Sequence, residues 1–390
     1  MPSRLASFGR AVAGLATVMI LATACVSFGG PGSPTSDNPK TNNPKTNNPK
    51  SDNPKSHNLK SDCPTSGCPA GHHVRPDAAT RPASASDPPG VGTWRSYWVG
   101  SRWMTFDEPA YTVDGATVAA RRLLTQIRYP LAGRPAKTSR PAKGPFPMIV
   151  FAPGFMQCGA PYSKLLSFWA SAGYVVVVVN FPYSDCLVGN PTENDMLNQP
   201  RDMSYVITRM LGLSRAKHGR FARLLNPKQI AIAGQSDGGD TVAAIAANTC
   251  CTDRRVKAVA VESGSVWPHM RGQYFAASFT KHPTPIFFSQ GSADTINPAG
   301  CSVFLYHSDQ AKLRFYLDLF GASHTGPYWG TNRYEGIVAR VSLAFFNRYV
   351  LRHPHADSVM REQGNVSGLA ALFSDGRGSL PPAIPGPPCY

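Results

Sequence analysis

Residues 230–249, IAIAGQSDGGDTVAAIAANT, place a lone serine between an apolar run and an alanine-rich segment. The residues before Gly234 predict a buried strand, and residues 237–248 predict a helix. Gly234, Ser236 and Gly238 form the pattern G-x-S-x-G, in which small residues two places from the serine allow a tight strand-to-helix turn. Such a turn raises the serine hydroxyl above the edge of a sheet, at a helix N-terminus where the dipole favours negative charge. The alternative is an ordinary turn with a serine cap.

Strands and helices alternate on both sides of this turn. The run YVVVVVNF at 174–181 shows no polar alternation, which is typical of a parallel strand buried on both faces. The alternation predicts an α/β fold with a mainly parallel sheet, which binds ligands beyond the carboxyl ends of its strands. The predicted strands are 123–129 (ending at Pro130), 148–152, 174–181, 229–233, 256–261, 286–289 and, as the last, 313–319; the predicted helices are 163–172, 197–213, 237–248 and a closing helix at 334–351.

Two further strand ends carry the groups that would activate a serine. Asp294 comes just after the strand at 286–289, and His324 just after the last strand. A serine hydroxyl needs a base to become a nucleophile, and the base needs a group that orients it. The chain order Ser…Asp…His is the order that this architecture requires. We therefore predict a catalytic triad of Ser236, Asp294 and His324.

Other assignments of these residues stay open. Asp294 would otherwise stabilise its loop as an Asx turn, and His324 would be a surface histidine. Glu262, which ends an earlier strand, is a rival acid. Asp318 is a second rival, but it is disfavoured because it lies within its strand rather than beyond it.

An ester- or amide-cleaving serine also needs donors for the oxyanion that forms during attack. The first predicted donor is the main-chain N–H of Asp237, the residue after the nucleophile. The second is the N–H of Phe155 in the loop APGFMQ, which follows the strand at 148–152. Gly154 in this loop allows the main chain to approach a substrate closely.

Five stretches resemble a known family: FAPGF at 151–155, GQSDGG at 234–239, ADTINP at 293–298, LDLFGASHTGPY at 317–328 and VARVSLAFFNRYV at 338–350. They are similar to the bacterial cutinase and polyester-hydrolase group, and to dienelactone-hydrolase and platelet-activating-factor-acetylhydrolase-like α/β-hydrolases. The resemblance covers about residues 120–350. It implies an eight-stranded, mainly parallel α/β-hydrolase sheet with helices on both faces, and hydrolysis of carboxylic esters without a cofactor.

The same resemblance implies an acyl or aromatic subsite formed by Phe155 and Trp267. The sequence departs from the group at Asp237, where polyester hydrolases usually carry methionine. A carboxylate beside the acyl site argues against a greasy polymer and against anionic esters as substrates. The triad by itself does not separate an esterase from a peptidase or amidase, and a non-catalytic cell-envelope binding protein is the alternative from another class.

Two cysteines follow strands that are neighbours in an α/β-hydrolase sheet. Cys158 lies after the strand at 148–152, and Cys186 after the strand at 174–181. Neighbouring strands are about 4.8 Å apart, and a disulfide tolerates Cα separations of roughly 4.4–6.8 Å. We therefore predict a Cys158–Cys186 disulfide. The alternative is that either cysteine pairs elsewhere, with Cys250, Cys251, Cys301 or Cys389 as the candidates.

The N-terminal residues predict export. Residues 1–24 combine Arg4 and Arg10 with an apolar run that is too short to span a bilayer comfortably. Cys25 then stands at the acceptor position of a bacterial lipoprotein signal, which predicts lipidation and an anchor in the outer face of the cell membrane. The alternative is cleavage after Ala22-Thr23-Ala24 and free secretion.

Residues 25–90 predict a disordered linker. Five related pentads, SDNPK, TNNPK, TNNPK, SDNPK and SHNLK, fill 36–60 and contain almost no apolar residue. Regularly spaced proline and lysine should keep these pentads extended. They would then act as a spacer; the alternative is a repeat expansion without functional consequence. The group Cys63, Cys68, His72 and His73 fits no standard zinc spacing, so a small disulfide loop is the preferred interpretation.

Residues 91–390 should therefore form the catalytic domain. The chain carries a net charge of +16, with basic residues scattered and no nucleic-acid-binding motif around them. In an exported protein this charge favours anionic polymers or lipid headgroups, and we expect no nucleic-acid partner. The predicted partners are an ester substrate and, through Cys25, a membrane. No cofactor, metal or obligate protein partner is expected.

Overall fold

The computed structural model describes residues 96–113, 115–265 and 284–374. The predicted export signal, the linker with Cys25 and the predicted subsite residue Trp267 lie outside these ranges. The strands are β1 (Trp98–Glu108), β2 (Tyr111–Val113), β3 (Ala116–Val118), β4 (Arg121–Leu131), β5 (Phe146–Ala152), β6 (Val175–Asn180), β7 (Leu225–Gln235), β8 (Val256–Glu262), β9 (Ile286–Gly291), β10 (Arg314–Leu319) and β11 (Ala370–Ser374). The helices are α1 (Ser163–Ser171), α2 (Gln199–Arg215), α3 (Asp237–Ala247), α4 (Ala299–Ser308), α5 (Arg333–Tyr349) and α6 (Ala356–Gly364), with a 3₁₀ turn at Glu193–Leu197.

One large sheet organises the described residues. Its strands lie in the order β1-β4-β6-β5-β7-β8-β9-β10-β11, and β2 and β3 form a separate hairpin. The strands from β6 to β10 pair in parallel, whereas β1, β4 and β11 run antiparallel to their neighbours. The predicted mainly parallel sheet is confirmed. We call the side at which the parallel strands end the carboxyl edge.

The sheet differs from the expectation of eight strands. Within the described residues the large sheet has nine strands, because the chain continues beyond α5 through α6 and returns as β11 along the edge of β10. The strand at 313–319 is therefore not the last, and α5 does not close the fold. The segment of β11, AALFS, is short and only partly buried, so it lacks the long apolar run that marks a central strand.

Pro130 does not end β4 as the sequence suggested. The strand continues to Leu131, and Pro130 pairs with Val99 of β1. A proline has no N–H to give to a ladder, so it is tolerated where a strand needs a partner on one side only. The ladder between β4 and β6 extends only as far as Arg128, so Pro130 meets this condition.

Two apolar layers enclose the sheet. Along β5, Met148 and Val150 pack in one layer with α2, α3 and α4, while Ile149 and Phe151 pack in the other with α1, α5 and α6. This arrangement explains why the central strands read as unbroken apolar runs, since both faces of each strand are covered. Among the helices that the structure describes, none is both long and apolar enough to cross a membrane.

Candidate active site

The turn between β7 and α3 forces Ser236 into an unusual backbone conformation. Its φ is 57° and its ψ is −127°, in the left-handed region that L-residues seldom adopt. A Cβ at Gly234 would lie 2.1 Å from the carbonyl oxygen of Gly238, and a Cβ at Gly238 would lie 2.0 Å from that of Ala152. Both distances are far below van der Waals contact, so only glycine fits at these positions. The G-x-S-x-G pattern therefore forms the predicted sharp turn.

Main-chain hydrogen bonds hold the serine from both sides. The N–H of Ser236 donates to the carbonyl oxygen of Glu262 at 2.9 Å, and the N–H of Asp240 donates to the carbonyl oxygen of Ser236 at 3.1 Å. The strained backbone is thus fixed by β8 on one side and by the first turn of α3 on the other. The result is a hydroxyl raised at the carboxyl edge.

The three residues predicted as a triad lie together at this edge. The Nε2 of His324 is 3.0 Å from the Oγ of Ser236, and its Nδ1 is 2.7 Å from the Oδ2 of Asp294. The side chain of Asp294 is 0% exposed and that of His324 is 8% exposed. The geometry is that of a nucleophile in contact with a base, and of a base in contact with an orienting carboxyl group.

The Asp294 carboxyl group is fixed by several donors. Its Oδ1 accepts from the N–H groups of Ile296 and Asn297, both at 2.9 Å. Its Oδ2 accepts from Nε2 of Gln290 at 2.9 Å, besides facing His324. The Asx turn that was the alternative assignment is therefore present, but it coexists with the contact to the histidine, since the two use different oxygens.

The rival acids occupy different positions. Glu262 is fully buried, and neither of its carboxyl oxygens has a hydrogen-bond partner among the described residues. Burial raises the pKa of Glu262 well above its usual value. Asp318 lies within β10, where burial also raises its pKa. Asp294 is the carboxyl group that contacts His324.

The loop after β5 runs alongside the serine. A Cβ at Gly154 would lie 3.1 Å from the Cβ of Ser236, so the main chain passes directly beside the hydroxyl. Among the described residues, the N–H of Phe155 donates to no other residue, whereas the N–H of Asp237 faces the carboxyl group of its own side chain. A substrate oxygen could accept from the N–H of Phe155 directly, and from that of Asp237 once it leaves its side chain.

A disulfide ties this loop to the next one. Cys158 and Cys186 are bonded, with their Cα atoms 5.4 Å apart, which confirms the predicted pair. Cys250 and Cys251, two of the alternative partners, form a bridge with each other instead. Beside the first disulfide, the N–H of Met156 donates to the carbonyl oxygen of Ser184 at 2.8 Å.

Removing this disulfide should lower both stability and turnover. The bridge spans a sequence separation of 28, so the double change Cys158→Ala and Cys186→Ala should reduce the unfolding free energy by about 3–4 kcal/mol. Turnover should fall too, because the loop that carries Phe155 loses its fixed neighbour. Denaturant unfolding and kcat would be measured on the same preparations. The double change Cys250→Ala and Cys251→Ala is the control, because that bridge encloses no chain loop. Equal losses in the two proteins would contradict the argument.

A buried ionic cluster holds the loop after β6, which carries Cys186. The guanidinium of Arg121 donates to the carboxylate of Asp202 at 2.7 and 2.6 Å and lies 2.7 Å from that of Asp195. Asp195 also accepts from the hydroxyl of Ser184 at 3.2 Å and the N–H of Tyr183 at 3.3 Å. Sequence reasoning treated Arg121 as one of many scattered basic residues, since nothing local in the chain pairs it with these acids.

Asp237 places a carboxyl group beside the nucleophile. Burial, with Glu193 as a further cause, raises the pKa of Asp237 to about 7, while His324 acts in the opposite direction. Its Oδ2 is buried and has no hydrogen-bond partner in the part of the chain that the structure describes. The first residue of α3 thus combines the predicted oxyanion donor in its main chain with a poorly solvated acid in its side chain.

The raised pKa of Asp237 makes stability depend on pH. Between its usual value of 3.8 and about 7, the folded state keeps a proton that the unfolded state releases, so the unfolding free energy falls as pH rises through this range. The loss should reach about 4 kcal/mol at most. Asp237→Asn should remove it, so the variant gains stability over the parent at about pH 8 and little at about pH 4.

Urea unfolding at the two pH values measures this difference. Asp107→Asn is the control, because this carboxyl group is also replaced but is exposed. The assignment is wrong if the gap between the Asp237→Asn protein and its parent is the same at both pH values.

No metal centre is evident: across 96–113, 115–265 and 284–374, no group of three or more His, Cys, Asp or Glu side chains could hold a metal ion. The group formed by Cys63, Cys68, His72 and His73 lies outside those ranges.

The chain is similar to one known family. Residues 104–262 match the family model for chlorophyllase, which covers less than half of the chain. The matched part includes Ser236 and the loop after β5, and it ends before Asp294 and His324. No curated protein matches the chain.

This match indicates an ester hydrolase and identifies the sheet. The chlorophyllase family is an α/β-hydrolase-like esterase family, and the strand order around β5 to β10 agrees with that fold. The predicted α/β-hydrolase fold is thus confirmed. The finer resemblance to cutinases and dienelactone hydrolases stays a prediction, since the match is to another family of the same fold.

Proposed function

We propose that the chain is an exported serine esterase that cleaves carboxylic esters through Ser236, His324 and Asp294. The observation that supports this most is the hydrogen-bonded series from Asp294 through His324 to Ser236, set at a strained turn on the carboxyl edge. The three residues come from loops after three different strands, so their contact depends on the whole fold.

Each group then has one role in the reaction. The Oγ of Ser236 attacks the ester carbonyl carbon while its proton passes to Nε2 of His324. The carbonyl oxygen becomes an oxyanion and accepts hydrogen bonds from the N–H groups of Phe155 and Asp237. The proton on Nε2 goes to the leaving alcohol as the C–O bond breaks, which leaves an acyl-enzyme. Water then gives a proton to Nε2 of His324 and attacks the acyl carbon. Oγ of Ser236 leaves with that proton and the acid is released, with Asp294 holding the imidazole throughout.

Ester hydrolysis is preferred over the two alternatives. A peptidase or amidase would use the same triad, but the family match is to esterases. A non-catalytic binding protein has no need of a base 3.0 Å from a serine hydroxyl and of a carboxyl group 2.7 Å from that base. Asp237 beside the nucleophile favours uncharged over anionic esters, because an ionised carboxylate would repel them.

The proposal also includes location. Cys25 would carry a lipid anchor on the outer face of the membrane, and residues 25–90 would hold the enzyme away from it. Mass spectrometry of the mature N-terminus separates the possibilities. An acylated Cys25 supports the anchor, whereas a chain that begins after residue 24 with an unmodified cysteine supports free secretion.

Hydrolysis and labelling by the purified protein test the function together. We expect turnover of short p-nitrophenyl esters, much slower turnover of the matching p-nitroanilides, and weaker turnover of an ester with a free carboxylate. A fluorophosphonate should add its mass to the peptide that contains Ser236. A protein that turns over no ester and takes up the label at no serine, or at another serine, would overturn the proposal.

A further inference from the structure

The side chain of Gln235 lies between the triad histidine and the loop after β5. Its Nε2 is 3.2 Å from Nε2 of His324 and 3.3 Å from the carbonyl oxygen of the same residue. Its Oε1 accepts from the hydroxyl of Tyr162 at 2.7 Å, and that hydroxyl accepts from the N–H of Gly154 at 3.2 Å. Gln235 is 1% exposed and Tyr162 is fully buried, so water does not compete for these contacts.

The partners fix which way the Gln235 amide points. The carbonyl oxygen of His324 can only accept, so it requires the amide nitrogen. The hydroxyl of Tyr162 already accepts from Gly154, which leaves its proton to donate to the amide oxygen. Every donor in the series thereby meets an acceptor. A flipped amide would place the amide oxygen of Gln235 against the carbonyl oxygen of His324, and both can only accept.

This orientation bears on the protonation of His324. Nδ1 faces the carboxylate of Asp294 and carries the ring proton, so Nε2 holds the lone pair that must receive the proton of Ser236. The amide N–H of Gln235 points at that same lone pair. That contact favours the neutral ring but must be given up when Nε2 takes the proton of Ser236. The contact that persists throughout the reaction is the one to the carbonyl oxygen of His324, which fixes the position of the histidine.

We propose that Gln235 is a positioning residue that fixes His324 through its carbonyl oxygen and, through Tyr162, holds the histidine in place relative to the loop at Gly154. The inference rests on the proposed function for its catalytic meaning. The first link is the two contacts to His324; the second is the hydroxyl of Tyr162, which joins the base to the loop that carries the predicted oxyanion donor. Gln235 touches no reacting atom other than Nε2 of the base.

We call the contacts from His324 through Gln235 to Tyr162 the relay, and the kinetics of three variants test it. Gln235→Met keeps the side-chain length and removes all three hydrogen-bond contacts of the amide. We expect kcat to fall roughly 10-fold with a change in KM of under about twofold. Tyr162→Phe should give a smaller loss in kcat. The double variant should be no slower than Gln235→Met, because Tyr162 acts through Gln235. Gln229→Met is the matched control, since it makes the same replacement earlier in β7, at a partly buried glutamine.

A spectroscopic measurement separates positioning from general damage and does not need turnover. In ¹⁵N-labelled full-length protein at alkaline pH, the Nε2 resonance of His324 should move downfield in Gln235→Met, because the lone pair loses a donor. His324→Gln assigns the signal, and phosphonate titration counts the folded sites in each preparation.

The outcomes distinguish the two proposals. If the parent protein hydrolyses no ester and the Nε2 resonance still moves, the proposed function fails and the relay stands. If esters are hydrolysed but the resonance and kcat of Gln235→Met match those of the parent, the relay is wrong and the function stands. Additive losses in the double variant would also overturn the link through Tyr162, because independent side chains lose activity independently.

Discussion

Replacing Ser236 by alanine should lower kcat for ester hydrolysis by on the order of 10³-fold or more. Without Oγ, His324 has no hydroxyl to deprotonate and no acyl-enzyme can form. The residual rate should come from the oxyanion donors and from substrate binding alone. Folding should be little affected, because alanine meets the same backbone strain at φ 57° as serine does. Initial rates with a p-nitrophenyl ester measure the loss, and thermal unfolding checks the fold.

Ser263→Ala is the matched control for this change. Ser263 is also a buried serine with a positive φ, 45°, and it follows the neighbouring strand β8 at the same edge. Its hydroxyl contacts that of Tyr328 at 3.0 Å, away from the histidine. We expect its kcat to stay within about tenfold of the parent, the range that one lost hydrogen bond accounts for. Should Ser236→Ala retain a rate in that range as well, another residue would be the nucleophile.

The central sheet was predictable because its strands carry a strong local signal. The runs at 148–152 and 174–181 correspond to β5 and β6. Every residue of these two strands is buried, which is why the runs are apolar with almost no interruption. The edge strands lack this signal. β1 alternates irregularly between partly buried and exposed residues, and β11 is short, so both depend on pairing with a neighbour that the sequence does not reveal.

Part of the site was predictable for a different reason. The turn at Ser236 is decided by glycines two places before and after it in the chain, and Asp294 and His324 follow strands in an order that the fold restricts. The Cys158–Cys186 pair followed in the same way, because adjacent parallel strands bring their following loops together.

Contacts that join distant segments were not predictable. Arg121 and Asp202 are 81 residues apart, and Gln235 and His324 are 89 residues apart. Such pairs form only once the sheet is assembled, and polar residues of these types occur on any surface. The side-chain acids at Glu262 and Asp318 could be ranked against Asp294 only by their place relative to strand ends, whereas the structure distinguishes them by contact with the histidine.

Asp294→Asn should lower kcat by on the order of 10³–10⁴-fold, by the same cause that applies to the corresponding change in the well-studied serine proteases. The surrounding donors decide the orientation of the new amide. Two main-chain N–H groups, those of Ile296 and Asn297, point at Oδ1, whereas Gln290 alone donates to Oδ2, so the amide oxygen of the variant should occupy the Oδ1 position. The amide nitrogen then faces Nδ1 of His324, where the carboxylate oxygen Oδ2 was.

That orientation inverts the tautomer of the histidine. An amide N–H opposite Nδ1 requires a lone pair on Nδ1, which places the ring proton on Nε2. Nε2 then faces the hydroxyl of Ser236 as a donor and can take no proton from it. The loss should therefore appear in kcat more than in KM, and Asp294→Ala should be no worse than Asp294→Asn, because alanine removes the carboxylate without imposing the wrong tautomer.

Two further changes compare Asp294 with its rivals. Glu262→Gln replaces a group whose pKa is raised well above its usual value by burial, and the amide has nearly the same shape. Asp318→Asn alters a residue within β10. Both should keep kcat within about tenfold of the parent, the scale of one hydrogen bond. A larger loss in Glu262→Gln than in Asp294→Asn would mean that the acid follows β8 rather than β9, since only the group that holds Nδ1 of His324 can fix its tautomer.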